Sequence, residues 1–292
     1  MRALRDAYKE AHIEVLGYQH IAALAEGRFH ADAVRSIEYG PLGVFFARGG
    51  ELPVELANYF ASFDLIISYL YDPDGIFAAN LRRCGVQDLI IGRGKLTEDG
   101  PAAEQLAEPL RELGVEVTDF AARVFPTAED RQFASEFLRG MTAPIVALHP
   151  GSGSESKNWP IEHWGAIGSD LLGSNSFTGS LLVVAGEADS AQVQPLRSLW
   201  RNERVRFAEN LPLPRLAATL AQTIFVGHDS GISHLAAASG ANCILLFGRT
   251  DPAIWAPRNE KVQILRAPEG DLRNLDTNVV AAAVWAACRA PD

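Results

Sequence analysis

The strongest constraint on the fold lies in the second half of the chain. There, short apolar runs at 145–148, 181–184, 205–207, 224–226 and 243–247 alternate with helical patterns at 161–173, 189–201, 214–222 and 231–239. Runs rich in Val, Ile, Leu and Phe with little polar alternation are what parallel strands covered on both faces require. Strand-then-helix repetition predicts a parallel sheet flanked by helices. A last helix is expected over 276–289. The first half repeats the pattern more loosely, with strands expected at 13–16, 34–37, 64–68 and 88–91 and helices at 2–10, 19–27, 53–61, 76–84 and 102–113, the last stopped by Gly114. The sequence therefore predicts an α/β protein of two doubly wound, Rossmann-like domains: 1–125, a connection over 126–143 bounded by Pro126 and Pro144, and 144–292. A doubly wound domain opens with a strand, whereas this chain opens in a helical pattern, so the first strand of the N-terminal domain is expected to be missing.

Composition narrows the class. Hydrophobic residues make up 48% and charged residues 21%, as in globular proteins. Apolar stretches such as 281–288 fall far short of the ~20 residues a membrane span needs. Cys84, Cys243 and Cys288 are scattered, with no paired spacing for zinc or a disulfide framework, and the first residues lack a signal-peptide core; both point to the cytoplasm. The formal net charge is −10, with 14 Lys/Arg against 22 Asp/Glu in residues 1–140 and 12 against 14 thereafter. That balance argues against a nucleic-acid partner and makes the second half the better host for an anion.

Each C-terminal strand runs into a loop with chemical content. His149-Pro150-Gly151-Ser152-Gly153-Ser154-Glu155-Ser156-Lys157-Asn158-Trp159-Pro160 offers small residues for close backbone approach and one cation, the layout of a phosphate site. It lacks the Walker pattern, and a solvated turn reads equally well from these residues alone. Val226-Gly227-His228-Asp229-Ser230-Gly231-Ile232-Ser233-His234 puts an N-cap at Asp229 or Ser230, with free helix N–H groups facing an anion. His234 falls one turn into that helix, where the bland reading is a histidine packed on the sheet. Glu187, after Gly186, suits the hydroxyls of a ribose or is an exposed helix start. Phe247-Gly248-Arg249-Thr250-Asp251-Pro252 reads as a tight turn. Asp72-Pro73-Asp74, though spaced like a metal-holding DxD, is followed by Gly75 and reads as a β-turn. His149, His228 and His234 lack ligand spacing, so no metal site is expected. The five tryptophans are scattered, as core residues are.

The order of HPGSGSESKNWP, VVAGE, ENLPLPRLAATLAQTIFVGHDSGISHLAAASG and ILLFGRTDP closely resembles bacterial glycosyltransferase family nine, whose best-known members are the ADP-heptose:lipopolysaccharide heptosyltransferases. The resemblance is strong over 145–260 and weaker over 1–120. It implies a GT-B architecture, two Rossmann-like domains facing a cleft, with the nucleotide-sugar donor held by the C-terminal one. It places Lys157 on the phosphates with Ser152 nearby, Glu187 on the ribose and adenine near Leu211. Asp229, Ser230, Gly231 and His234 would grip sugar and pyrophosphate. It implies inverting, metal-independent transfer of heptose from ADP-heptose, with no cofactor, to a lipopolysaccharide core or related glycan acceptor at the inner face of the inner membrane. The family's N-terminal Gly-rich turn and its aspartate base are not matched here, so the catalytic residue is unknown. Arg82, Arg83, Arg93 and Lys95 would have to cluster to draw an anionic acceptor into the acidic half. The competing readings are a non-catalytic or impaired nucleotide-sugar-binding protein and a nucleotide-sugar epimerase or hydrolase.

Overall fold

A computed structural model of the chain describes residues 1–152 and 157–290. It divides into two compact units, Met1–Phe120 and Ala121–Asp292.

The first unit runs α1 (Arg2–Ala7), β1 (Glu14–Gly17), α2 (Gln19–Ala22), β2 (Ala33–Ser36), a 3-10 turn (Gly40–Phe46), α3 (Val54–Ala61), β3 (Ile66–Ser68), α4 (Ile76–Arg83), β4 (Leu89–Ile91) and α5 (Ala102–Ala107). The expected strands all form, as two parallel pairs, β1 with β2 and β3 with β4, and no ladder joins one pair to the other. Strands of three or four residues with mostly half-buried side chains bury little, and the core is instead built from helix-borne Leu42, Phe45, Phe60, Phe77 and Leu81. The Phe45 and Phe60 rings sit 4.9 Å apart. The single helix expected over 102–113 changes at Glu108 into a 3-10 turn, because Pro109 has no N–H to continue the ladder; Gly114 then ends it at φ 69°. Asp72-Pro73-Asp74 is a turn as expected. Gly75 N–H donates to the Asp72 carbonyl at 3.1 Å, and the Asp72 carboxylate accepts from Ala78 N–H at 2.9 Å.

The second unit opens with α6 (Ala128–Phe137), whose start is fixed by a reciprocal Thr127–Asp130 capping box. This helix packs on α9, so much of the segment expected to connect the domains belongs to the second unit. Then follow β5 (Ile145–His149), α7 (Ile161–Gly173), β6 (Ser180–Ala185), α8 (Ser190–Leu199), β7 (Val205–Glu209), α9 (Leu213–Leu220), β8 (Ile224–His228), α10 (Gly231–Ala238), β9 (Asn242–Phe247), α11 (Pro252–Trp255), β10 (Val262–Arg266) and α12 (Thr277–Arg289). All strand pairs are parallel, in a six-stranded sheet ordered β10-β9-β8-β5-β6-β7. β10 is the strand the sequence reading does not anticipate. It lies at the sheet edge with side chains only partly covered, so it lacks the buried apolar run of its neighbours.

β5, β6 and β8 are buried along their whole length. Leu148, Leu181, Leu182, Val226 and Leu246 have no exposed surface, and each such side chain contributes about 1.5–3 kcal/mol by leaving water. Trp159, Trp164 and Trp200 are buried in this core as expected, while Trp255 and Trp285 are only partly covered. The strand order has one functional consequence. The chain walks outward from β5 through β6 and β7, then returns across β5 to lay down β8, β9 and β10 on its other side. Order reverses between β5 and β8, and the C-terminal ends of two such strands are where doubly wound domains bind ligands.

Candidate functional site

The loops at this switch point are the two motifs singled out above. Gly151 and Ser152 leave β5, Ser152 buried. Residues 153–156, the centre of the first motif, lie outside the described residues. The loop re-emerges at Lys157, whose Nζ lies 3.0 Å from the Asp229 Oδ2 just past β8. The lysine side chain keeps 41% of its surface exposed and the aspartate 12%, so the amine stands at the rim with its partner beneath. An ion pair this exposed is worth about 0–1 kcal/mol, so Lys157 is free to exchange Asp229 for a bound anion at little cost.

Ser230 is the N-cap of α10, its Oγ accepting from Ser233 N–H at 3.3 Å, and the Ser233 hydroxyl donates to the His228 carbonyl. Gly231 and Ile232 open the helix, and N–H groups of a first turn have no partner within the helix. They follow closely on Asp229, which puts the positive end of the helix dipole beside the Lys157–Asp229 pair. His234 lies on α10 with part of its surface exposed, while the protein packed around its ring desolvates it and pushes its pKa down. Glu187, exposed, begins the turn after β6, and Leu211 follows β7, so both lie on the same sheet edge, about 4.8 and 9.6 Å of strand spacing beyond β5.

Three buried groups beneath the loops escaped the sequence reading as functional candidates. His228, the last residue of β8, has no exposed surface. Its Nε2 accepts from Trp159 N–H at 2.8 Å and its Nδ1 faces the Gly151 carbonyl at 3.4 Å. Burial, with the His149 ring nearby, pushes its pKa down to about 3, so it is neutral. His149 Nε2 lies 3.4 Å from Asp189 Oδ2, and the histidine holds that carboxyl below its ordinary range. Gly151 passes directly over Asp189, where a Cβ would fall 2.1 Å from the carboxyl carbon, so only glycine fits. The one signal in the sequence was histidine directly ending two apolar strand runs.

Other expectations resolve as follows. Asp251 accepts from Ala253 N–H at 3.0 Å and caps α11, so the fourth motif is a capped turn. Arg82, Arg83, Arg93 and Lys95 do not cluster. The first two end α4 before β4 and the last two follow β4, placing the pairs at opposite ends of that strand. Arg83 is spent on Asn80 Oδ1 at 2.7 Å and Gly50 O at 3.1 Å, and Arg93 on both oxygens of Glu108 at 2.6 and 3.1 Å. Among the described residues, no three His, Cys, Asp or Glu side chains are placed to share a metal, and no helix is long and apolar enough to cross a membrane.

A parallel doubly wound domain whose switch point gathers a lysine, a glycine-led loop and a capped helix N-terminus defines an α/β protein of the Rossmann class. Residues 103–282 match the profile of glycosyltransferase family 9 (heptosyltransferase), and the chain belongs to that family. It is 28% identical over 159 residues to lipopolysaccharide heptosyltransferase 1 of Escherichia coli K12, an alignment covering 53% of this chain and 48% of that protein. The chain thus spans about half the length of the curated relatives it matches. Among solved structures, it resembles a family 9 glycosyltransferase from Veillonella parvula, with a TM-score of 0.76 and 19% identity over 97% of this chain and 90% of that one. It also resembles E. coli ADP-heptose lipopolysaccharide heptosyltransferase II, with a TM-score of 0.74 and 15% identity over 98% and 92%. At these identities the likeness establishes the fold, which is GT-B.

Proposed function

We propose that this chain is a glycosyltransferase that takes a sugar from a nucleoside-diphosphate donor, with ADP-heptose as donor and a lipopolysaccharide core or related glycan as acceptor. The observation that carries this reading is the meeting of Lys157, Asp229 and the start of α10 at the switch point between β5 and β8. A diphosphate seated there receives one mobile cation and a helix N-terminus, charge enough to stabilise it as a leaving group without a metal. Glu187 and Leu211, one and two strands further along the same edge, offer a carboxylate for the ribose hydroxyls and an apolar contact for the base. Asp229, released when Lys157 turns to phosphate, becomes an acceptor for sugar hydroxyls beside Ser230, Gly231 and His234.

In the reaction, the acceptor hydroxyl loses its proton to a base and attacks the anomeric carbon. The bond to the diphosphate oxygen breaks on the opposite face, giving an inverted glycoside and free nucleoside diphosphate. The choice of ADP-heptose draws on the relatives, since the E. coli protein of like fold carries that donor in its name. The test is transfer from ADP-heptose to heptose-free lipopolysaccharide, followed by ADP release and the anomeric configuration of the product. Acceptor-dependent ADP release with inversion supports the reading. Free heptose or an epimerised donor without acceptor would replace it with hydrolase or epimerase chemistry.

A further inference from the structure

The loop that carries Lys157 leaves β5 at Gly151 and reaches Trp159 just before α7, and both ends meet one side chain. His228 stands between them, its Nε2 taking the Trp159 N–H at 2.8 Å and its Nδ1 facing the Gly151 carbonyl at 3.4 Å. Acceptance at Nε2 leaves the ring hydrogen on Nδ1, oriented to the carbonyl, so each edge of a neutral imidazole meets one end of the loop. The ring plane is held by Trp164, which packs edge-on at 5.2 Å and 89°. Trp159 itself is pinned by its indole N–H, which donates to the Leu275 carbonyl at 3.0 Å. The residue after His228 is Asp229, the ion-pair partner of Lys157, and the next is Ser230, the cap of α10. One buried ring therefore registers the loop against the turn that carries the rest of the site.

We propose that His228 is a positioning residue, a neutral imidazole clamp that fixes the spacing between Lys157 and the N-terminus of α10 at which a nucleoside diphosphate binds. An aliphatic side chain of the same volume would fill the space and leave the Trp159 N–H buried without an acceptor. An imidazolium would present a hydrogen to that N–H and open the same joint. The diphosphate as ligand rests on the function proposed above, whereas the clamp rests on the geometry alone.

The test compares the wild-type chain with His228→Leu, which removes the acceptor, and His228→Gln, whose amide oxygen reaches about as far as Nε2. Three readouts are taken: the ring tautomer by nitrogen-15 shifts, exchange of the Trp159 amide, and calorimetric titration with ADP. The expected tautomer carries hydrogen on Nδ1. Losing the acceptor is expected to speed Trp159 amide exchange by about tenfold or more, with the amides of β6 and β9 unchanged. The ADP dissociation constant is expected to rise by about tenfold in His228→Leu, the equivalent of one lost buried hydrogen bond, and to recover most of that in His228→Gln. The proposal is overturned by hydrogen on Nε2, by unchanged Trp159 exchange in His228→Leu, or by uniformly faster exchange across the sheet, which marks a residue that only packs. If the wild type binds no nucleotide, the donor reading fails, and the tautomer and the exchange pattern still decide the clamp.

Discussion

Gly151→Ala tests how tightly the loop is laid over the groups below it. Replacing glycine by alanine ordinarily stabilises a folded chain by about 0.4–1 kcal/mol where the backbone allows it, and Gly151 does not hold a left-handed conformation. Here the sign reverses, because the new Cβ would lie 2.1 Å from Asp189 Cγ and 2.2 Å from its Oδ1. Contact distance between such atoms is about 3.5 Å, so the carboxyl or the loop must give way by more than ~1 Å. Overpacking of this kind costs about 1–3 kcal/mol, and that is the expected loss. All five tryptophans lie beyond residue 120, so urea unfolding followed by tryptophan fluorescence reports the second unit alone. In an Asp189→Ala background, where the obstructing carboxyl is gone, the same substitution should cost less than about 1 kcal/mol. Equal penalties in both backgrounds would refute the steric reasoning.

Other perturbations separate the remaining claims. His228 stays neutral in the fold down to about pH 3, while the unfolded chain takes up its proton near 6.5, so stability falls as pH drops through that interval. The slope reaches up to about 1.4 kcal/mol per pH unit in urea titrations between pH 6 and 4.5, and His228→Gln flattens it. His149 and Asp189 face the same ring, and the depressed Asp189 carboxyl gives up its share of stability only below its ordinary 3.8, outside that range. Ser230→Ala should cost about 1 kcal/mol through the lost cap, and it should weaken nucleotide binding as well, measurable in one titration series. Leu182→Ala, at a side chain with no exposed surface, should cost about 2–5 kcal/mol without changing nucleotide preference. Excess chelator should leave transfer rates unchanged, and a collapse of activity restored by a divalent ion would contradict the metal-free chemistry proposed.

The second unit was legible because its strands are continuous apolar runs, and that pattern has one cheap solution, a sheet covered on both faces. Helix 161–173 was read with its observed limits, since Pro160 starts it and the apolar residues keep helical spacing as far as Gly173. β10 was not legible, because a half-covered edge strand keeps Gln263 and Arg266 in water and breaks the buried run. In the first unit, strands were located but their separation into two pairs was not, since register and pairing depend on contacts remote in sequence. At the site, the anion-binding parts are local, a loop and a cap, and local chemistry reads directly from residues such as Ser230 and Gly231. His228 acts through partners 69 and 77 residues away in sequence, and His149 meets Asp189 from the end of the neighbouring strand, so only the strand order brings them together. The basic cluster of Arg82, Arg83, Arg93 and Lys95 failed for the same reason, because nearness in sequence across β4 became opposite ends in space.

The central claim is that the switch point between β5 and β8 holds a nucleoside diphosphate, with Lys157 as its cation. Calorimetric titration of the chain and of Lys157→Ala with ADP, GDP and UDP tests it most directly. Selective binding of ADP, weakened about tenfold or more in Lys157→Ala, is the predicted result. A folded chain that binds none of the three, or binds ADP equally well without Lys157, would contradict it.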